Sequence, residues 1–253
     1  MTATGHRDAV YSDLAAEQDR LDAVLGGLAA GDWDRPSAAA GWRVRDVVLH
    51  LAQTEELVIA SAKGEAGSPF GRRSGGESID DLAGRLVTAE RGTPAAEVYQ
   101  RWRTARRGAL DALRACPPGT RLPWATIPLS PTTLATTRLA EHWAHGLDIT
   151  GPLGISYPDT GRLRHVAWLA IRTLPYAFAA AGQTAPGTVR CSLTAPDDST
   201  WELGPDDAAS VITGPAGAFC RVAAHRLDAA GSGLTATGPD GAAALRLLRT
   251  YAA

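Results

Sequence analysis

The sequence predicts an α+β chain, with a four-helix bundle over residues 1–158 and a smaller α/β unit over 159–253 that opens on a helix of its own. Four long segments in the first part carry apolar residues at helical spacing, and four helices so connected suit a bundle. After "GQTAPG" the texture changes to short alternating stretches separated by turn residues. At 253 residues and 45% hydrophobic content, the chain is long enough for two unequal domains, each with its own core.

The elements follow in order. From Val10 to about Leu28, Leu14, Leu21, Leu25 and Leu28 recur at helical spacing until the Gly31 and Pro36 region breaks the pattern. A second helix runs from about Arg43 to Ala62 on a stripe of Val44, Val47, Val48, Leu51 and Val58, with Gly64 as its stop. Residues 64–80 are rich in Gly, Ser and Arg and read as a long exposed loop that can border a pocket. A third helix covers Pro94 to Ala115, between a proline at its start and "CPPG" at its end. The fourth begins at Pro131 or Thr132 and ends near Ile149, at "TGPLG".

The boundary between the parts falls between residues 155 and 186 and is placed at 158. A fifth helix is expected from Thr160 to Ala181, kinked at Pro175. "TVRCSLTA" and "TWELG" read as a hairpin joined by "DDST", "GPAGAFCRVAAHRL" as a helix, "GLTATG" as a short strand and "GPDGAAALRLLRTYA" as a terminal helix.

Composition narrows the function. A formal net charge of −2 provides none of the clustered positive charge that nucleic acid or an anionic membrane surface attracts, so neither is an expected partner. The start, "MTATGHRDAVYSDLAAEQDR", lacks a basic segment followed by an apolar run, and no stretch is apolar enough to span a bilayer. A cytoplasmic protein is expected. Cys116, Cys191 and Cys220 are odd in number and lack CxxC spacing, so they predict packing rather than disulfides or a thiolate metal site, with Cys220 the one to watch near a site. Lys63 is the only lysine among abundant Arg, Ala and Gly, a bias expected of a GC-rich genome such as an actinobacterium's.

The chemistry concentrates in "LAEHWAHGLDI". Glu141 and His145 are four positions apart, hence one turn apart on one helical face, where a carboxylate and an imidazole can close on one cation. His142 is rotated by about 100° from Glu141 and points elsewhere. His50, three residues after Val47 on the apolar side of the second helix, is the candidate third ligand. A His, His, Glu set with open positions is the form of a catalytic site, zinc first, with Ni, Fe or Mn permitted by ligand type. Spacing alone does not separate this from a solvated Glu–His pair and a hydrogen-bonded core histidine.

"GWRVRDVVLHLA" followed much later by "LAEHWAHGLDI" resembles the mycothiol-dependent maleylpyruvate isomerase-like family of metal-binding proteins, in the DinB-like superfamily. The resemblance implies an N-terminal DinB-like bundle whose divalent metal is held by a His of the second helix and the Glu-x-x-x-His of the fourth, which map onto His50, Glu141 and His145. It extends into the tail, which is similar to the family's smaller C-terminal, SCP2-like α/β domain. There the isomerases place an arginine, near the end of the "GPA" helix, to meet an anionic substrate. Arg226 matches it best, in "HR" where the isomerases more often have "GR", and Arg221 is the fallback.

What the resemblance implies is an enzyme that uses mycothiol, a low-molecular-weight thiol, as co-substrate. The thiol adds to a conjugated double bond of a small unsaturated or anionic substrate, allows rotation, and leaves. If the adduct is released instead, the activity is a mycothiol S-transferase or another metal-assisted step of secondary metabolism, and the same ligands would serve a metal-activated water. The contrasting reading is a non-catalytic protein that encloses a small ligand. Trp42 and Trp143 flank the ligand motifs as core or pocket wall, and Asp148 as a helix-end charge or a group that orients a ligand.

Overall fold

The computed structural model describes residues 3–65, 77–125 and 127–250, which fall into two compact units, one up to Tyr157 and one from Pro158 on. The α+β class holds. The first unit contains α1 (Ala3–Gly26), α2 (Val44–Lys63), α3 (Ile79–Glu90), α4 (Ala95–Ala115) and α5 (Pro131–Leu153), with a short 3-10 turn at Ala30–Asp34. α2 packs along α4 and α1 along α5, and α2 also meets α5. The core is the one the apolar stripes predict, with Leu21, Leu25, Val44, Val47, Val48 and Leu51 buried around Trp102 and Ile149.

Capping decides where these helices begin and end. Gly64 is left-handed (φ 68°), and the Glu65 amide returns to the Ala60 carbonyl at 3.1 Å, which closes α2. α5 opens on Ser130, whose Oγ accepts the Thr133 amide at 3.1 Å, with Pro131 in the first turn where a missing N–H does no harm.

α5 does not end at Ile149. It continues to Leu153 with Pro152 inside it, although proline deprives the carbonyl four residues back of its donor. That carbonyl, of Asp148, is supplied from outside the helix by the Ala38 amide at 2.9 Å, and Arg35 Nη2 donates to the Pro152 carbonyl at 3.1 Å. The loop before α2 is thereby pinned to α5.

α3 is a helix the apolar pattern did not suggest. Its signal is a cap: Ser78 Oγ accepts the Asp81 amide at 3.0 Å and Asp81 Oδ2 the Ser78 amide at 3.2 Å, with Leu82 and Val87 buried beyond. The expected loop over 64–80 is therefore cut short at its end, and its residues 66–76 lie outside the described residues.

In the second unit, the expected single helix from Thr160 to Ala181 is two, α6 (Leu163–Arg172) and α7 (Leu174–Ala180), because Pro175 sits in the first turn of a new helix instead of kinking an old one. The sheet comprises β1 (Val189–Thr194), β2 (Thr200–Leu203), β3 (Ser210–Pro215) and β4 (Thr235–Thr237) in the order β2-β1-β3-β4. β1 and β2 form the predicted hairpin, Cys191 opposite Leu203 and Leu193 opposite Trp201. β3, also not anticipated, pairs parallel to β1 and runs into α8 (Ala216–Ala223), so the "GPA" motif marks a strand-to-helix junction. α9 (Gly241–Leu247) is shorter than the expected terminal helix, starting at Gly241 and ending before Leu248, and residues 251 and 252 of that expectation lie outside the described residues. No helix among the described residues is long and apolar enough to cross a membrane.

Candidate metal centre

Where α2 meets α5, the two helices aim three side chains at one point. His50 Nε2 lies 3.6 Å from Glu141 Oε2, and His145 Nε2 lies 3.4 Å from the same oxygen. One ligand atom from each residue falls within 4.8 Å of the others, a spread that a single divalent ion can bridge. The imidazoles meet edge to face, their centroids 5.0 Å apart. His50 and His145 side chains are 11% exposed and Glu141 27%, so the carboxylate side is the open one. Among the described residues, this is the one group of three or more such side chains close enough to share an ion.

The neighbours set the protonation of the donors. Asp148 Oδ2 accepts from His145 Nδ1 at 2.9 Å, which leaves Nε2 turned to the site as the lone-pair nitrogen once His145 is neutral. Burial lowers the basicity of His145, but the carboxylates of Asp148 and Glu141 outweigh it and raise its pKa. His50 goes the other way: burial, with the charges of His145 and Arg138, lowers its pKa against the pull of Glu141. Burial also opposes ionisation of Glu141, yet the two imidazoles beside it and the charge of Arg138 hold its carboxyl well below the usual range. The result is a negative charge between two imidazoles, a donor set suited to zinc or another borderline divalent metal.

Trp42 forms one wall, its ring centroid 5.1 Å from that of His50 and 6.4 Å from that of His145. It is held there by a tight loop: the Ser37 amide donates to the Trp42 carbonyl at 2.9 Å and the Trp42 amide to the Ala39 carbonyl at 3.0 Å, with Gly41 at φ 77°. The pinning of Ala38 to Asp148 O thus ties the Trp42 wall to the residue that orients His145.

Beneath the triad is a buried polar network that the sequence did not disclose. Arg138, 3% exposed, donates from Nε to Glu55 Oε1 at 3.0 Å and from Nη2 to Thr54 Oγ1 at 2.7 Å, and Thr54 in turn donates to the His50 carbonyl at 2.9 Å. Glu55 is fully buried; its Oε2 has no hydrogen-bond partner, and burial, opposed by Arg138, raises its pKa. His142 belongs here and not to the triad. Its Nδ1 lies 2.8 Å from the Arg138 carbonyl and its Nε2 3.2 Å from the Trp102 indole nitrogen, which donates, so the ring is a neutral Nδ1–H tautomer with its pKa pushed down to about 3 by burial and by Arg138.

The model of the mycothiol maleylpyruvate isomerase N-terminal domain matches residues 14–150, the span that contains the whole triad. The chain belongs to this mycothiol maleylpyruvate isomerase family. Two uncharacterized proteins, from two strains of Mycobacterium tuberculosis, are each 35% identical over 246 residues, covering 95% of this chain and 94% of theirs. Among solved structures, the chain is similar to a mycothiol-dependent maleylpyruvate isomerase at a TM-score of 0.64 and 14% identity, covering 95% of this chain and 99% of that one, and to a mutant of that isomerase at 0.62 and 13%. At such identities the likeness is one of fold.

For the arginines carried over from the maleylpyruvate isomerase resemblance, the structure gives local surroundings. Arg226 follows α8 in a turn in which His225 adopts φ 56°, and its Nη1 donates to the Ala224 carbonyl at 2.6 Å. Arg221, within α8, spends its guanidinium fork on Asp159, at 2.7 and 2.8 Å. Trp143 is buried in the helical core. Cys220 is fully buried in α8, its thiol turned to the Leu163 carbonyl at 3.5 Å and its pKa raised by burial.

Proposed function

We propose that this chain is a metal-dependent enzyme of thiol chemistry, in which His50, Glu141 and His145 hold a divalent cation, zinc on ligand type, and mycothiol is the co-substrate. The observation that supports it best is the convergence of two imidazole nitrogens and one carboxylate oxygen within 4.8 Å, from two helices far apart in the sequence. A closed structural site would present a fourth protein ligand; three with an open side suit catalysis. When bound, such a cation supplies Lewis acidity that lowers the pKa of an approaching thiol.

The chain's own residues do the rest. Glu141 supplies the one negative charge of the donor set, Asp148 holds the proton of His145 at Nδ1 so that Nε2 stays a ligand, and Trp42 walls the site. The reacting sulfur comes from outside: all three cysteines are buried, and burial pushes the thiol of Cys191 up to about 12. Arg226 is proposed to meet the carboxylate of a small anionic, unsaturated substrate, with Arg221 as the fallback, because a planar guanidinium pairs bidentately with a carboxylate. Isomerase and S-transferase share all these steps and differ in whether the thiol adduct collapses or departs. The protein is proposed to act in the cytoplasm of an actinobacterium.

The test is metal analysis of purified protein joined to a thermal-shift series. One equivalent of divalent metal in wild type, none in His50→Ala, and a further rise in melting temperature on adding mycothiol are expected. Wild type that takes up no metal after supplementation would overturn the reading.

A further inference from the structure

The triad stands on a second pair of buried charges that the proposed chemistry does not use. Arg138 lies one turn before Glu141 on α5, and its partners Glu55 and Thr54 lie about one turn after His50 on α2. One guanidinium therefore bridges the two ligand-bearing helices, reaching the His50 carbonyl through Thr54 Oγ1. Breaking a buried pair on one side leaves an uncompensated charge, whereas replacing both members with apolar groups is often neutral or stabilising. Such a pair is therefore weakly explained by stability. Here it does two things that apolar packing cannot: it sets the register of His50 against Glu141, and Glu55 neutralises a cation buried beside the place where another cation would sit.

Resting on the metal reading above, we infer that Arg138 and Glu55 are positioning residues of the metal centre: a neutral cross-tie between α2 and α5 that sets zinc affinity without contacting zinc. Arg138 supplies the tie, and Glu55 keeps the tie from repelling the ion. His142 and Trp102 complete it from α5 and α4, because His142 Nδ1–H donates to the Arg138 carbonyl and the Trp102 indole N–H donates to His142 Nε2 from the other side.

The experiment is a competition titration of apo-protein with zinc against a chromophoric chelator, read together with the melting temperature of each apo variant. Glu55→Gln keeps an oxygen for Arg138 but removes the charge; its zinc affinity is expected to fall by about ten- to a hundredfold. Arg138→Met with Glu55→Met guards against a variant that fails to fold. It is expected to melt at or above wild type and still bind zinc at least about tenfold more weakly. Phe219→Ala serves as the control, since Phe219 is buried in the α/β unit and belongs to no part of the tie; it should lower the melting temperature and leave zinc affinity unchanged. Wild-type zinc affinity in the double variant, or an equal loss in Phe219→Ala, overturns the inference while the metal reading stands. Wild-type protein that binds no zinc sinks both.

Discussion

The two units bury polar atoms on different principles. In the helical unit the buried side chains include Glu17, Asp46, Glu55, Arg106, Arg138, His142, His145 and Asp148. In the α/β unit, the buried polar side chains among the described residues are Ser210, Ser232 and Thr250, none of them charged. A buried charge is tolerated only when paired, and even then seldom adds net stability. Four of these in the helical unit, Glu55, Arg138, His145 and Asp148, have their best physical explanation in the site beside them, and the α/β unit is held by apolar packing on a four-stranded sheet. Mutations should separate the two regimes.

The largest effect is expected from Glu141→Ala, which removes the one negative donor: metal content and activity should drop to background while circular dichroism stays native. Retained activity in metal-free Glu141→Ala protein would contradict the site. Next comes Arg138→Ala, which leaves Glu55 buried and uncompensated and should cost about 3–5 kcal/mol in denaturant unfolding. Phe219→Ala, in the uncharged core of the other unit, should cost a comparable 3–5 kcal/mol or so with zinc affinity untouched. If both variants changed zinc binding equally, the contrast between the units would collapse.

A smaller change is expected of Asp148→Asn. The amide can still accept from His145 Nδ1 but no longer favours that proton, so zinc affinity should weaken by about ten- to a hundredfold at constant melting temperature. The smallest effect concerns acid stability. Asp46 is buried at the start of α2, where burial raises its pKa but Arg43, from backbone and side chain, and Arg91 bring it below the ordinary value. A carboxylate with a lowered folded pKa stabilises fully above its unfolded value and loses that contribution as pH falls through the folded one, here below about pH 4. Urea midpoints at pH 6 and pH 3 should therefore differ less for Asp46→Asn than for wild type.

What could be read in advance follows from periodicity and spacing. The long helices were legible because Leu and Val recur on one face, as in Val44, Val47, Val48 and Leu51. Glu141 and His145 were legible as a pair because four residues make one turn, whatever the rest of the fold does. α3 went unseen because its evidence is a cap at Ser78 and two buried side chains instead of a long stripe. β3 went unseen because a short strand that feeds straight into a helix offers little alternation.

By itself, then, the order of residues determined local matters: helix faces, turns, the α+β division, and which side chains one helix presents together. That His50 joins Glu141 and His145, that Asp148 turns to His145, and that Arg138 reaches Glu55 and Thr54 were decided only in three dimensions. The reason is physical. Contacts across helices depend on rotation, register and approach, which one helix's period leaves open, and on whether a stray group such as the Asp148 carbonyl finds a donor as distant as Ala38.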